Sequence, residues 1–386
     1  MAEFGFTEAQ EMFRTMVRDF TRRELMPGAK ERMKLNRVPP EIVKKLADAG
    51  LLGLRTPEKY GGQMSDIVTG GIACEETAKA DFGPSFVILL QFFAGEMLTL
   101  CNEEVQAEWM PLCAKGKIMC LCLTEPDVGS DATAIKARAV RHGDYYTLNG
   151  EKTSISMAMQ AEVAAIWAKT DPAASGARGI TTFFVPLNFP GIERSAFSDM
   201  GWRSVERGSI AMDNVRIPAK YRIGDEGKGF YSVMGAFDWI RVFLALEVLA
   251  LGEQSVYDAI DYAKQRTAFG KPIAKYDAVS FRLVDSLAKI EAAKLLCYKA
   301  LWMLDHGMGR LATREVAMAK SLSPTIGIEA CNNAMLTLGH VGYSSDYLVE
   351  QRLRDAYGFE FADGTADVQR IVMVREFIGR EYLDYT

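Results

Sequence analysis

Residues 354–370 read Arg-Asp-Ala-Tyr-Gly-Phe-Glu-Phe-Ala-Asp-Gly-Thr-Ala-Asp-Val-Gln-Arg, and two helical patterns meet at a turn within this stretch. Gly364 permits the backbone angles that close a tight turn, and Thr365 is suited to cap the helix that follows. Asp363 would then project from the turn itself, where a carboxylate can reach into a cavity between helices. Taken alone, such an arrangement is more often an ordinary acidic loop residue beside a helix cap.

The composition is that of a globular protein. The 386 residues predict two or three domains with a large core. Hydrophobic residues make up 49% of the chain and charged residues 25%, which does not suit a disordered protein. The net charge of -5 and the lack of a basic run give no indication of a nucleic-acid-binding surface.

The cysteines and the start of the chain predict a cytoplasmic location. The cysteines are odd in number and lack metal-ligand spacing, which indicates buried thiols in a reducing cytosol and no metal site: Cys74, Cys101, Cys113, Cys120, Cys122, Cys297 and Cys331. The first residues lack the charged and apolar regions of a signal peptide. No uncharged apolar run is long enough to cross a bilayer, so we expect no membrane span.

Hydrophobic spacing divides the chain into three parts. Residues 1–118 follow a helical period that starts after Thr7, a candidate capping-box residue. Residues 119–227 alternate as strands do, with Asn149-Gly150 as a hairpin turn. Residues 228–386 return to the helical period. The predicted fold is therefore mostly α: an N-terminal helical domain, a middle antiparallel β-barrel and a C-terminal four-helix bundle that also forms a subunit interface.

A second polar stretch runs Cys-Leu-Thr-Glu-Pro-Asp-Val-Gly-Ser-Asp-Ala-Thr-Ala over residues 122–134. Its backbone amides and the hydroxyls of Thr124 and Ser130 can hold the polar edges and phosphates of a large ligand. By chemistry alone the stretch predicts a turn and nothing more.

As sequence motifs, the two stretches resemble the two signatures of the acyl-CoA dehydrogenases, and other family motifs follow in order along essentially the whole chain. In that family a catalytic glutamate precedes the Gly-Thr pair, whereas this chain has Asp363 there. Val128 also departs, because the family prefers a small residue at that position. The resemblance implies an FAD enzyme that acts on an acyl-CoA and passes electrons to an electron-transfer flavoprotein or a similar acceptor.

The implied reaction places two demands on the site. The base removes the α-proton of the acyl-CoA while the β-hydrogen leaves as hydride to the flavin. Because such a proton is too weakly acidic for a carboxylate in water, burial must raise the pKa of the base. Hydrogen bonds to the thioester oxygen, including one from the Asp363 backbone amide, would stabilise the developing negative charge.

The resemblance also assigns residues to the flavin ring and its surroundings. Backbone and side chain around Leu123 and Thr124 would contact the ring, and Ser130 would lie near the cofactor phosphates or the CoA chain. Ser156 keeps a hydroxyl that would tune the flavin. Ser154 stands where the family has a tryptophan, which leaves room or admits water.

Other motif positions are assigned to the remainder of the cofactor. Arg266 and Phe269 match a motif that crosses a dimer interface to hold the pyrophosphate through charge-assisted bonds. Gly339 belongs to the adenine-binding motif, although Leu336, His340 and Asp277 replace residues usual there. Thr365 and Asp367 follow the base, and Asp367 also stands where a glutamine is common. FAD rather than FMN is thus inferred, with its adenosine half held differently.

The substrate contacts follow from the same resemblance. Arg241 would be a cation near the CoA chain and the base turn, and Asp238 lies one turn away, although the two also suit an intrahelical ion pair. Gly364 and Gln91 are the other candidate substrate contacts. Some relatives carry their base at the position of Ile240, which cannot ionise.

The aspartate narrows the expected substrate. Its oxygen retreats by roughly 1.5 Å relative to glutamate, so backbone or substrate must move closer. Within the family we associate aspartate with dehydrogenases of alicyclic acyl-CoAs, such as cyclohexanecarboxyl-CoA, and with nitroalkane oxidase. We favour the alicyclic dehydrogenase, with Phe92, Phe93 and Met97 as candidate ring-pocket residues.

Several alternatives stay open. Short or branched acyl-CoAs are possible substrates, and a non-catalytic helical scaffold or binding module is the non-enzymatic reading. Glu360 is a rival base. The family resemblance implies a homo-oligomer, a tetramer built as a dimer of dimers. Glu247 stands where the family has a small residue, and only a helix–helix contact is expected of it.

Overall fold

The computed structural model describes residues 5–174 and 176–384. The first part is helical: α1 Glu8–Phe20, α2 Ala29–Arg32, α3 Pro40–Asp48, α4 Ile67–Ala78, α5 Phe82–Thr99 and α6 Glu103–Ala114. The predicted capping box at Thr7 is confirmed, because its hydroxyl accepts from the Gln10 backbone N–H and the Gln10 side chain accepts from the Thr7 N–H. The chain leaves α6 through a short turn and enters the sheet.

One helix of the described residues, α5, is long and apolar enough to cross a membrane by length and composition, with mean hydropathy 1.3. Within the fold, 89% of that window is buried. It is packed between α4, α6 and the later helix bundle, as the core helix of a globular domain would be. Its central position matters for the site, because one of its faces forms a wall of the cavity described below.

A mixed eight-stranded sheet follows, in the order β6-β7-β3-β2-β4-β5-β8 with β1 beside β4. Its strands are β1 Met119–Cys122, β2 Arg138–His142, β3 Tyr145–Ile155, β4 Val163–Lys169, β5 Ile180–Pro186, β6 Ile192–Ala196, β7 Gly208–Pro218 and β8 Arg222–Ile223. The pairing is mostly antiparallel, as predicted. However, β4 pairs in parallel with β1 and, at one position, with β2.

The hairpin prediction at Asn149-Gly150 was wrong. Both residues lie inside β3, where the pairing with β7 shifts register between Leu148 and Gly150. Gly150 has φ +139°, and a Cβ there would come within 2.8 Å of Ala137. The glycine therefore serves a bulge and a close backbone approach rather than a turn. The β2–β3 connection instead passes through Gly143 and Asp144.

The chain ends in a second group of helices joined by a two-stranded ribbon: α7 Gly229–Gln265, β9 Thr267–Ala268, β10 Lys271–Pro272, α8 Asp277–Asp305, α9 Gly309–Leu338, α10 Val349–Gly358 and α11 Ala366–Phe377. The long helix α7 packs against α4 and α5 on one side and α8 and α9 on the other. Gly70 of α4 allows the close approach, because a Cβ there would come within 2.6 Å of the Phe92 ring and 2.7 Å of the Phe243 ring.

The predicted state of the cysteines is confirmed in part. All seven are free and buried. Burial raises the pKa of the Cys101, Cys113 and Cys297 thiols to about 12, so they are held in the unreactive thiol form. The cytoplasmic location stays a prediction.

Candidate active site

A cavity of about 580 Å³ lies where α5, α7, the first strands and the turn before α11 meet. Polar groups from distant parts of the sequence converge on it. They are Thr124, Ser130, Asp131, Thr133, Ser154, Ser156, Arg207, Arg241, Asp363 and Thr365. Leu123 and Gly364 also line it. The two sequence stretches that define the predicted site are therefore brought to one space.

The base candidate sits on the turn between α10 and α11. Asp363 has φ +50°, and Gly364 follows with φ +94°. Left-handed angles in two successive residues reverse the chain sharply, and they point the aspartate side chain at the cavity rather than along a helix. Thr365 then caps α11, its hydroxyl accepting from the Val368 backbone N–H at 3.2 Å. Each local prediction for this turn is confirmed.

Electrostatics at Asp363 match the demand on a base. Asp363 is half-buried. Its exposed part borders the cavity, and protein surrounds its other sides. Burial raises its pKa, and the positive charges of Lys320 and Arg241 oppose that rise. Arg241 also donates from Nε to the backbone oxygen of Asp363 at 3.0 Å. The Asp363 backbone N–H has no acceptor among the residues that the structure describes.

The Arg-Asp pair upstream of the turn fixes α10 to the sheet module. The Asp355 carboxylate accepts from the Trp202 backbone N–H at 2.6 Å, and the Trp202 indole donates to the Asp355 backbone oxygen at 2.7 Å. Arg354 donates to the Met200 carbonyl at 2.8 Å. Burial raises the pKa of Asp355 to about 7. These bonds set the distance between the base turn and the strands that face it.

A buried ion pair organises the 123–134 stretch. Lys152 of β3 is fully buried and donates to the Leu123 carbonyl at 3.0 Å and to the Glu125 carboxylate at 2.8 Å. That carboxylate also accepts from the backbone N–H groups of Lys136 and Ala137, at 2.6 and 2.9 Å. Burial lowers the pKa of Lys152, while the Glu125 charge opposes that shift. These bonds hold the loop on the side away from the cavity, and Leu123 and Thr124 face the cavity.

The sequence reading missed Arg207 in the cavity wall. Its guanidinium donates to Ser154 Oγ at 2.8 Å and pairs through Nε and Nη2 with Asp199, each at 2.9 Å. Ser154 itself has φ +60° at the end of β3. Where the family has a tryptophan, this chain therefore presents a serine hydroxyl held by a cation. No local pattern marks Arg207, because its partners are distant in sequence.

The far wall of the cavity is apolar. Phe86, Leu89, Leu90 and Phe93 line it from α5, and Phe237 and Ile240 line it from α7. Of the predicted ring-pocket residues, Phe93 alone lies on this wall, whereas Phe92 and Met97 are packed in the core. Behind the wall, Phe92, Trp239 and Phe243 form an aromatic cluster with ring centroids 5.0–5.4 Å apart. Among the described lining residues, none from α5 is charged.

Two of the predicted substrate contacts, Gln91 and Asp238, and the rival base Glu360 do not line the cavity. The buried Gln91 amide donates to the carbonyls of Cys113 and Lys117 and accepts from the Met119 N–H, so it fastens α5 to β1 instead of facing the cavity. Asp238 accepts from Arg241 at 3.3 Å, the intrahelical pair considered above. The rival base Glu360 accepts from Thr325 instead of facing the cavity.

The residues assigned to the remainder of the cofactor are exposed on the surface and do not line this cavity. Phe269 is 97% exposed, and Arg266 and Gly339 are exposed too. Asp367 is paired with Arg370 at 2.6 Å. None of these four residues lines the cavity of the single chain, and their role in holding the cofactor stays a prediction.

Of two buried ionisable residues in the long helices, Lys320 escaped the sequence analysis, whereas Glu247 was expected to make only a helix–helix contact. Lys320 of α9 is fully buried and donates to the Phe359 carbonyl at 2.7 Å. The sequence signal for the burial of Lys320 is its helical register, because it lies on the same face of α9 as the buried Val316, Ser323 and Gly327. Glu247 of α7 is fully buried and accepts from Ser85 at 2.5 Å. Burial raises the pKa of Glu247 well above its usual range, which favours the uncharged form at this helix–helix contact.

Comparison with known proteins decides the family. The N-terminal, middle and C-terminal domain models of acyl-CoA dehydrogenases match residues 7–117, 120–215 and 227–378. A probable acyl-CoA dehydrogenase of Bacillus subtilis is 34% identical over 379 residues, covering 97% of this chain and 99% of the relative. The chain belongs to the acyl-CoA dehydrogenase family.

Other members of the family are similar over nearly the whole length. A caffeyl-CoA reductase–Etf complex subunit of Acetobacterium woodii is 36% identical, covering 95% of this chain and 98% of the relative. A cyclohex-1-ene-1-carbonyl-CoA dehydrogenase of Syntrophus aciditrophicus is 32% identical, covering 96% and 90%. The butyryl-CoA dehydrogenase structure from Megasphaera elsdenii has a TM-score of 0.90 at 31% identity, covering 96% of this chain and 98% of that one.

The cavity of this acyl-CoA dehydrogenase fits the flavin that the family uses. The hydroxyls of Thr124, Ser130 and Ser156 border it and make no hydrogen bond within the described residues, so they are available to a polar ligand. A Cβ added at Gly129 would meet no atom within 4 Å, which leaves the loop backbone open to close approach. An FAD complex of another structural neighbour, PigA, has a TM-score of 0.91 at 25% identity, covering 97% of this chain and 98% of that one. No cluster of metal ligands occurs among the described residues.

Proposed function

We propose that this chain is an FAD-dependent dehydrogenase of an alicyclic acyl-CoA, converting cyclohexanecarboxyl-CoA to cyclohexenecarboxyl-CoA, with Asp363 as the base. One observation carries the proposal: the Asp363 carboxylate faces the same cavity as the apolar wall of α5 and α7. A thioester whose acyl group rests on that wall places its α-carbon next to a carboxylate. When bound, the flavin supplies the acceptor for the β-hydride.

The chain's own residues perform the proton chemistry. Asp363 removes the α-proton at its carboxylate oxygen, and its raised pKa makes it a stronger base than a carboxylate in water. The backbone N–H of Asp363 has no acceptor among the described residues and is available to donate to the thioester oxygen, where negative charge develops. Arg241 holds the carbonyl of the same residue, which fixes the direction of the turn. Side chains of α5 exclude water from the acyl group.

The shape and polarity of the acyl wall support a compact apolar substrate. Phe86, Leu89 and Phe93 offer only hydrocarbon surface, and the buried aromatic cluster behind them limits the depth. Among the described residues, the apolar wall itself contains no cation to pair with a distal carboxylate, and the two arginines that border the cavity, Arg207 and Arg241, are paired with Asp199 and Asp238. This disfavours a dicarboxylic acyl group such as glutaryl. A shorter base also suits a bulky ring that brings its α-carbon forward, since the aspartate reaches less far than glutamate by roughly 1.5 Å.

The proposal extends to partners. The relative from Acetobacterium woodii is named as a subunit of a reductase–Etf complex, which supports an electron-transfer flavoprotein as the acceptor. Apolar side chains on the outer faces of α8 and α9 are largely exposed, including Phe281 at 59%, Leu295 at 54% and Leu336 at 57%. Covering them with a second copy would also bring Arg266 and Phe269 to a neighbour, so we propose a homotetramer, measurable by light scattering.

Anaerobic bleaching of the flavin tests the proposal. Purified yellow enzyme is mixed with cyclohexanecarboxyl-, butyryl-, isobutyryl- or glutaryl-CoA, and the visible absorbance is followed in time. We expect the alicyclic thioester to bleach the flavin fastest and glutaryl-CoA slowest. Faster bleaching by butyryl-CoA would replace the alicyclic assignment with a short-chain one. An enzyme that no thioester bleaches would not be a dehydrogenase.

A further inference from the structure

Two cations hold the base turn by its backbone. Lys320 of α9 donates from Nζ to the carbonyl of Phe359 at 2.7 Å, where the turn begins. Arg241 of α7 donates from Nε to the carbonyl of Asp363 at 3.0 Å, where the turn presents its carboxylate. The turn that carries the base is therefore fixed at both ends by positive charges on two different helices.

Lys320 is an unusual partner for a carbonyl. Its side chain is fully buried, and no carboxylate oxygen among the described residues lies within ion-pair distance of its Nζ. A buried ammonium with a single carbonyl partner is costly, because one neutral acceptor does not replace its hydration. A methionine or leucine at this helical position would satisfy packing at less cost. Packing therefore does not explain why a lysine occupies this position, and its positive charge must have another role.

The charges that face Lys320 supply the explanation. Asp363 and Glu360 of the turn act on it as negative charges, and Arg241 acts on it from α7 as a positive one. Asp363 in turn experiences Lys320 and Arg241, and it raises the pKa of Glu247 on α7. Burial lowers the pKa of Lys320 to about 8, so the residue still carries its proton at neutral pH. Its positive charge opposes the effect of burial on Asp363.

We propose that Lys320 is a positioning residue for the base: it anchors the start of the base turn, and its charge favours the ionised form of Asp363. The proposal rests on the assignment of Asp363 as the base. Without Lys320, burial would act on the carboxyl against Arg241 alone, and Asp363 would hold its proton to a higher pH. A protonated aspartate cannot accept the α-proton, so the acid limb of the activity profile would move to higher pH.

Two variants separate charge from structure. Lys320→Met removes the charge and keeps the length, whereas Lys320→Arg keeps a positive charge. Lys289→Met is the matched control, since it removes one lysine charge from an exposed pair with Glu329 at 2.7 Å. The first-order rate of anaerobic flavin bleaching is measured from pH 5 to pH 9 for each protein, with flavin content as a check on folding.

We expect the acid limb of the Lys320→Met profile to move upward by about one pH unit, as for the loss of a nearby opposite charge. The limb should stay in place in Lys320→Arg and in the Lys289→Met control. A rate that falls by the same factor at every pH, with the limb unmoved, would mean that Lys320 is merely structural and would overturn the proposal.

An infrared titration gives a readout that needs neither substrate nor turnover. The absorption of the protonated Asp363 carboxyl is isolated as the difference between the wild type and Asp363→Asn, and likewise between Lys320→Met with and without Asp363→Asn. The carboxyl pKa should be higher by about one unit when Lys320 is absent. An equal pKa in both backgrounds would refute the coupling. If the pKa moves but no thioester bleaches the wild type, the proposed function fails and the coupling stands.

Discussion

Replacing Lys152 by methionine should destabilise the protein and loosen the loop that borders the cavity. The lysine is fully buried and bonds to both the Glu125 carboxylate and the Leu123 carbonyl. Breaking a buried pair by removing one partner costs about 3–5 kcal/mol, because the remaining charge is left unpaired. Glu125 keeps its two backbone N–H donors, so we expect a loss at the lower end, about 3 kcal/mol.

The same loop supplies the control. Lys136 pairs with Asp127 at 3.0 Å, but the two side chains are 70% and 75% exposed. Lys136→Met should therefore cost at most about 1 kcal/mol. Urea unfolding followed by tryptophan fluorescence compares the proteins, and gel filtration measures the flavin that each retains. We expect only Lys152→Met to lose flavin, since its loop presents Leu123 and Thr124 to the cavity.

A double variant checks the reasoning. Adding Glu125→Gln to Lys152→Met removes the unpaired charge and should recover part of the lost stability. The explanation would be refuted if Lys152→Met were within about 0.5 kcal/mol of Lys136→Met, the scatter usual for surface changes. It would also be refuted if the double variant were less stable than Lys152→Met alone.

Three further predictions follow from the base turn and its supports. Asp355 has a pKa of about 7 in the folded protein, above its unfolded value, so its contribution to stability is complete at acid pH and is lost as pH rises through 7. The stability difference between the wild type and Asp355→Asn should shrink by about 4 kcal/mol between pH 4 and pH 8, measured by urea unfolding; a constant difference would contradict this. Arg241→Gln should slow flavin bleaching by about 10–100-fold, because it removes the bond to the Asp363 carbonyl, and an unchanged rate would exclude that role. Thr365→Ala and Thr7→Ala should each lose about 1 kcal/mol as lost helix caps, but only the former should slow bleaching.

The sequence predicted best those features that depend on neighbouring residues. The cap at Thr7 and the turn at 363–365 are local, since their hydrogen bonds join residues three apart. The Gly150 prediction failed because a glycine with positive φ serves a turn and a bulge equally well. Only the position of Ala137, the residue just before the neighbouring strand β2, decides between them.

Buried charges account for most of what the sequence did not reveal. Lys152 looks like an ordinary surface lysine in the sequence, and Lys320 is marked only by its helical register. The packing of distant elements is what shows that both are fully buried. Gln91 was misassigned for the same reason, because its three bonds reach residues 22–28 positions away. The family resemblance indicated where the site lies, but it did not reveal the buried residues that hold the site in place.

The identity of the base is tested most directly by comparing Asp363→Asn with Glu360→Gln. Both changes replace a carboxylate by an amide of the same shape, and the two residues lie on the same turn. Anaerobic bleaching is measured with the best thioester of the panel, after confirming that each variant keeps its flavin. We predict that Asp363→Asn retains the yellow colour and does not bleach, while Glu360→Gln bleaches at close to the wild-type rate. Rapid bleaching by Asp363→Asn would contradict the account.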